Sequence, residues 1–207
     1  MEKEIAKLLL QINAIKLEPT NYFTWASGWK SPIYCDNRKI LSFPEARELI
    51  KNAFVKLILD KYGMPDVIAG VATGAIAIGV LVAEELGLPF VYVRASAKQH
   101  GMGNIIEGVF KKGQTVVVIE DLISTGMSSL RAVKTLREAG AEIKGMSAIF
   151  TYGFNKSEKA FDDENVKLFA LSNYNVLINM ALETSYVKKE NLKTLAQWRD
   201  DPENWMK

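Results

Sequence analysis

Residues 115–129, TVVVIEDLISTGMSS, restrict the possible folds of this chain more than any other stretch. Val116, Val117, Val118 and Ile119 form an apolar run without polar alternation, the pattern of a strand covered on both faces. Such a strand belongs to a parallel sheet between helical layers. Glu120 and Asp121 then emerge at its carboxyl end, where open α/β sheets hold their ligands. The following STGMSS is small and hydroxyl-rich apart from Met127, and it leads into the helical pattern RAVKTLREAG.

The flanking sequence repeats that rhythm. DVIAG (66–70), FVYV (90–93) and EIKGMSAIF (142–150) read as strands, separated by a small-residue helix over 74–87 and a second helix over 127–139. Strands alternating with helices predict a mostly parallel sheet. Before this core, Ile5, Leu8, Leu9, Ile12 and Ile15 predict an amphipathic helix closed by Pro19. The aromatic segment YFTWASGWKSPIYCDNRK, broken by Gly28 and Pro32, predicts a short strand, a turn and another strand. A helix beginning at Phe43-Pro44 follows, with Ala46, Leu49, Ile50, Ala53, Phe54, Leu57 and Ile58 on one face. VKLFAL, the helix around NVLINMAL and the charged ENLKTLAQWRDD form a C-terminal section. Residues 95–113 show no periodicity, and a loop of that length in a compact domain is usually functional or mobile.

With 207 residues, 48% of them hydrophobic, the chain is long enough to bury the core of one ordinary domain. A net charge of +2 with interspersed signs argues against a nucleic-acid-coating or polybasic membrane protein. Cys35 is the only cysteine, which excludes an internal disulfide and fits a reducing compartment. No apolar stretch is long enough to span a bilayer, and the N-terminus lacks the features of a secretory signal, so a cytoplasmic location is expected.

The central segment suggests its own ligand. Backbone amides from Ser124 to Ser129, converging at a helix start, suit a phosphate, and the hydroxyls of Thr125, Ser128 and Ser129 add donors. Gly126 lets the backbone approach closely. Two acids would repel that phosphate at contact, but they can accept hydrogen bonds from a neutral diol a few ångströms away. A ribose 5-phosphate carries both features. The competing reading is a plain helix N-terminus with favourable charge near its dipole. GVATGAIAIG (70–79) lacks the lysine of a P-loop, and no GxGxxG opens a helix.

VVVIEDLISTGMSS closely resembles the phosphoribosyl-pyrophosphate (PRPP) motif of type I phosphoribosyltransferases. Two further stretches narrow the resemblance to orotate phosphoribosyltransferases. FTWASGWKSPIYCDNRK (23–39) is similar to that family's N-terminal signature, and VRASAKQHGMGNIIEG (93–108) to its mobile catalytic loop. The resemblance implies a single type I phosphoribosyltransferase domain over 1–207. Its hood would be formed by about 1–40 with part of the C-terminal section, its core by about 41–170, and its mobile loop by 95–113. It implies transfer of the phosphoribosyl group from PRPP to orotate, giving orotidine 5′-monophosphate and pyrophosphate in de novo UMP synthesis. Mg²⁺ would be held mainly by PRPP near Glu120 and Asp121, with no dedicated protein cage. A homodimer is implied, each loop completing the neighbouring site; helix 74–87 and the segment 35–42 are candidates for the dimer surface.

Carried onto this sequence, the resemblance assigns Glu120 and Asp121 to the ribose hydroxyls, and Ser124, Thr125, Gly126, Met127, Ser128 and Ser129 to the 5′-phosphate. Arg94, Lys98 and His100 would contact pyrophosphate; Lys98, His100 and Asp121 would serve catalysis. Tyr34, Cys35 and Ser124 would meet orotate. Ala26, Ala95, Thr73 and Gly74 replace residues that touch pyrophosphate in some members, lysines at 26, 74 and 95. The segment FTYGFNK offers no counterpart to the arginine that some members place near the orotate carboxylate. Trp25, Trp29, Trp198 and Trp205 are expected to pack rather than to bind ligand. A purine-type phosphoribosyltransferase and a PRPP-sensing regulator are the alternatives. Against them stand the 23–39 segment and long loop, and the absence of room or basic charge for a DNA-binding module.

Overall fold

In the computed structural model, which describes residues 1–25, 28–96 and 105–206, the central apolar run is indeed covered on both sides. Val116 and Val118 point into one buried cluster, and Val117 and Ile119 into the other. The strand they belong to, β8 (Thr115–Ile123), lies inside a six-stranded sheet. Its neighbours are β5 (Val67–Val71), β6 (Phe90–Val93), β7 (Ile106–Glu107), β9 (Glu142–Thr151) and β10 (Leu168–Asn173), in the order β10-β9-β8-β5-β6-β7. All pairings are parallel except β6 with β7. The connection after β5 runs outward to β6, and the chain then returns to place β8 on the other side of β5. The topological switch point therefore falls between the carboxyl ends of β5 and β8.

Helices cover both faces. α2 (Pro44–Tyr62) starts with proline at its first position, where the missing N–H costs nothing, and buries Ala46, Ile50, Ala53, Phe54, Leu57 and Ile58. α3 (Ile76–Leu86) follows β5, and α4 (Met127–Glu138) follows β8. α1 (Glu2–Gln11), α6 (Tyr174–Glu183) and α7 (Leu192–Asp200) share one apolar cluster, through Ile5, Leu9, Leu177, Ala181, Leu195 and Trp198. Two small antiparallel pairs complete the N-terminal part. β1 (Ile15–Leu17) pairs with β4 (Ile33–Cys35), and β2 (Phe23–Thr24) with β3 (Lys30–Ser31).

Four expectations change. Ile15 does not prolong the first helix: Asn13 adopts φ 54°, the left-handed conformation that ends α1, and Ile15 pairs with Cys35 in β1. β8 does not stop at the acids, because its ladder with β9 continues to Ile123 opposite Thr151. The aperiodic 95–113 stretch contains β7, where Ile106 pairs with Val93. A helix not expected from periodicity, α5 (Asn155–Asp163), follows β9 and buries only Ser157 and Phe161. Among the described residues no helix is long and apolar enough to cross a membrane.

Candidate functional site

Since β8 runs through the acids, its alternation sends them to different environments. Glu120 is buried, 5% exposed, with both oxygens of its carboxylate engaged. Oε2 accepts from the Ser129 hydroxyl at 2.8 Å, and Oε1 from the Asp121 amide at 3.0 Å. Burial, followed by the charge of Asp121, pushes the Glu120 carboxyl well above its ordinary range. Asp121 is half-buried beside it, and burial raises its carboxyl too. Its backbone carbonyl accepts from Asn37 Nδ2 at 2.6 Å, fastening the strand end to the 3₁₀ turn Asn37–Ser42. Its carboxylate fills the space over Gly74, where a Cβ would stand 2.1 Å from Oδ2. The acid pair is thus held from behind by Ser129 and Asn37, while Asp121 faces the turn after β5. That turn contains a cis peptide between Ala72 and Thr73.

The phosphate-type loop is formed by the turn from β8 into α4. Gly126 adopts φ 78° at the N-cap of α4, and a Cβ there would meet the Phe161 ring at 2.7 Å. No side chain caps this helix start. Helical bonding begins with the Leu130 amide on the Gly126 carbonyl at 2.9 Å, leaving the amides of Met127, Ser128 and Ser129 at the helix mouth. An uncapped mouth of this kind is where the helix dipole and backbone donors favour an anion. The Ser129 hydroxyl is already spent on Glu120, correcting its expected use as a phosphate donor. Only its amide is left for that purpose. Met127 is 63% exposed, so its side chain contributes little wall there.

Beside the acids lies a cavity of about 370 Å³ lined by Thr24, Trp25, Tyr34, Cys35, Leu122, Ser124 and Tyr152. This brings the expected base-facing residues Tyr34, Cys35 and Ser124 together, adjacent to the diol-type acids and the loop. Cys35 remains a thiol, pushed up by burial and by the charges of Asp121 and Asp36. Trp25 packs as expected: its indole N–H donates to the Ile33 carbonyl at 3.0 Å, and its ring meets Tyr152 and Trp198. Trp198, fully buried, also touches Phe154 and Tyr174, while Trp205 packs edge-on against Tyr22. The base side is therefore backed by a knot of rings drawn from both ends of the chain.

On the far side, Arg94 follows β6 and its guanidinium pairs with Glu107 of β7 at 3.3 Å. It lines a small cavity of about 70 Å³ together with Val71, Ala72, Ala95 and Ser128. Arg94 and the loop thus share one end of the sheet. Lys98 and His100 lie outside the described residues, as does Ala26. Three residues with site contacts escaped the sequence reading: Asn37, Tyr152 and Arg199, whose Nη2 donates to the Gly153 carbonyl at 2.6 Å. Only Tyr152 had a usable signal, since it directly follows a central parallel strand.

Known proteins resemble this chain over nearly its whole length. The phosphoribosyl transferase domain family matches residues 36–183. Orotate phosphoribosyltransferase of Bacteroides fragilis is 54% identical over 205 residues, covering 99% of this chain and 97% of that protein. The chain belongs to the orotate phosphoribosyltransferase family. The Listeria innocua orotate phosphoribosyltransferase is 53% identical over the whole of this chain and 99% of its own length. Among solved structures, Leishmania donovani UMP synthase superposes with a TM-score of 0.79 at 27% identity, covering 96% of this chain and 42% of that longer one. For an orotate phosphoribosyltransferase family member the domain match is informative at its edges. It leaves out residues 1–35 and 184–207, the ends that supply Trp25, Tyr34 and Trp198 to the base side.

Proposed function

We propose that the chain transfers the 5-phosphoribosyl group of PRPP to orotate, releasing pyrophosphate and forming orotidine 5′-monophosphate. The observation that carries this reading is an acid pair, Glu120 buried and Asp121 half-buried, set between an uncapped helix mouth and a neutral, ring-walled cavity at the switch point of the sheet. In this reading the mouth of α4, with Ser124, Thr125, Gly126, Met127, Ser128 and Ser129, holds the 5′-phosphate through amides and free hydroxyls. Asp121 and Glu120 hold the ribose diol, with Asp121 the reachable partner. Tyr34, Cys35 and Ser124 face orotate. Arg94, Lys98 and His100 meet pyrophosphate, and the 95–113 loop completes the site of a neighbouring subunit in a homodimer.

The reaction breaks the bond between the anomeric carbon and a pyrophosphate oxygen, and makes one from that carbon to the ring nitrogen of orotate next to the carboxylate-bearing carbon, whose N–H proton is lost to solvent. The transition state is oxocarbenium-like, as in glycoside cleavage. No protein nucleophile is required. The chain's contribution is to orient the two reactants and to balance departing charge. Asp121 anchors the ribose so that its anomeric carbon faces the base cavity, and Lys98 stabilises the leaving pyrophosphate.

Mg²⁺ suits this donor set. Asp121 offers one half-buried carboxylate, which also touches Glu120 and the Leu122 amide, Glu120 is engaged by Ser129, and no group of three or more His, Cys, Asp or Glu gathers among the described residues. An ion that keeps waters and substrate oxygens as ligands matches one protein carboxylate beside a diol and a pyrophosphate. When bound, it neutralises the charge of the pyrophosphate.

Purified protein mixed with PRPP, Mg²⁺ and orotate should deplete the ultraviolet absorbance of orotate, while hypoxanthine, adenine and uracil should leave PRPP largely unconsumed. PRPP consumption driven by a purine, without orotate turnover, overturns the assignment.

A further inference from the structure

The base-side cavity contains a donor that the assignments above leave unused. Tyr152 is only 1% exposed, lies just beyond the last residue of β9, and lines the cavity with Tyr34, Cys35 and Ser124. Its hydroxyl donates to none of the described residues, and only burial and neighbouring charges act on it. A hydroxyl at the wall of a cavity, with no protein acceptor among the described residues, is free to donate to a molecule that enters it. Its ring is also immobilised. It stacks on Phe154 at 5.3 Å and 20°, leans on Trp25 at 5.4 Å, and meets Phe150 and Trp198 edge-on. A side chain fixed in this way loses little freedom when its hydroxyl is engaged.

The other lining groups narrow the role. None of the seven residues lining the cavity is cationic. Lys30 reaches only the rim, where its ammonium donates to the exposed Thr24 hydroxyl at 2.9 Å and is screened by solvent. The Trp25 indole N–H is already committed to Ile33, and Tyr34 is 42% exposed. Tyr152 is thus the enclosed phenolic donor of the cavity wall, beside the hydroxyl of Ser124 and the thiol of Cys35.

We infer that Tyr152 is a specificity-determining residue, donating its hydroxyl hydrogen to an oxygen of the pyrimidine acceptor, either the carboxylate or a ring carbonyl. The inference rests on the orotate reading above and assigns to a neutral phenol the recognition for which the 151–156 segment has no arginine.

Tyr152→Phe keeps the ring stack and removes only the hydroxyl, so folding should be preserved, with an unchanged melting temperature as the check. The KM for orotate is expected to rise about 10- to 100-fold, the usual loss for one hydrogen bond to a strong acceptor, while the KM for PRPP stays within twofold. Uracil, which has the ring carbonyls but not the carboxylate, identifies the oxygen when used as a competitive inhibitor. An unchanged uracil Ki assigns the contact to the carboxylate, and a Ki that rises in parallel assigns it to a ring carbonyl. A folded variant whose orotate KM is unchanged, or whose PRPP KM rises equally, overturns the inference. Wild-type protein that fails to turn over orotate refutes the functional reading itself, a result distinct from either.

Discussion

Gly74→Ala is a small change aimed at the centre of the site. A Cβ at this position would lie 2.1 Å from Asp121 Oδ2, 2.3 Å from Cγ and 2.8 Å from Oδ1, so the whole carboxyl group is in the way. Restoring ordinary van der Waals separation requires the carboxylate to withdraw by about 1 Å or more. The neighbouring peptides cannot yield in its place, because the Asp121 carbonyl is held by Asn37 and its amide by Glu120. Misplacement of a positioned group by about 1 Å costs about 100-fold in rate, or about 2.7 kcal/mol of transition-state stabilisation. Folding should be spared. Gly74 does not sit in the left-handed region, and the atoms a Cβ would meet are the end of one side chain, which can rotate aside. The expected outcome is therefore a kcat/KM for orotate lowered about 100-fold at a nearly unchanged melting temperature. A variant with kcat/KM within threefold of wild type would refute the placement of Asp121 as the ribose anchor.

Other perturbations separate the roles of neighbouring residues. Glu120→Gln removes a carboxyl whose folded pKa is raised by burial. Such a group favours folding below its unfolded value of about 4.3 and loses that contribution as pH rises through the folded value. The melting temperature of the variant relative to wild type should consequently climb between pH 4.5 and 8, while activity falls; a constant difference would show that Glu120 ionises normally. Asn37→Ala leaves the Asp121 carbonyl without its 2.6 Å donor and should cost about 1–3 kcal/mol in denaturant unfolding together with kcat/KM. An unchanged midpoint would show that the turn does not brace the strand. Lys98→Ala should lower kcat by about 10²–10³, the loss typical of one preorganised charge donor, and unaltered turnover would remove Lys98 from the site.

What was legible in the sequence was what is local. The apolar run 116–119, the acids and the Gly126 loop lie within one strand–turn–helix unit, and periodicity reads such units directly. The acids looked like the end of the strand because charge normally marks exposure, yet Glu120 stays in the ladder, with Ser129 supplying its hydrogen bond from the next helix. Asn37 and Asp121 stand 84 residues apart, and no pattern along the chain links them. In the sequence Gly74 reads only as a missing lysine; its close approach to Asp121 exists only once β5 and β8 lie side by side. α5 was missed for a different reason: with two buried residues it carries almost no apolar stripe. Ile15 fits a helical stripe and a strand equally well until Asn13 turns the chain.

The ring knot around Trp198 makes the molecule modular in an unexpected way. The acid pair and the helix mouth lie in the middle of the chain, whereas the cavity beside them is walled by residues 24–35, by Leu122 and Ser124 and by Tyr152 at the tip of β9, and is backed by Trp198 near the C-terminus. On the proposed reading, drift in either terminus would retune which heterocycle is accepted without disturbing the residues assigned to the donor, and both termini grafted together are the natural unit for redesigning acceptor choice.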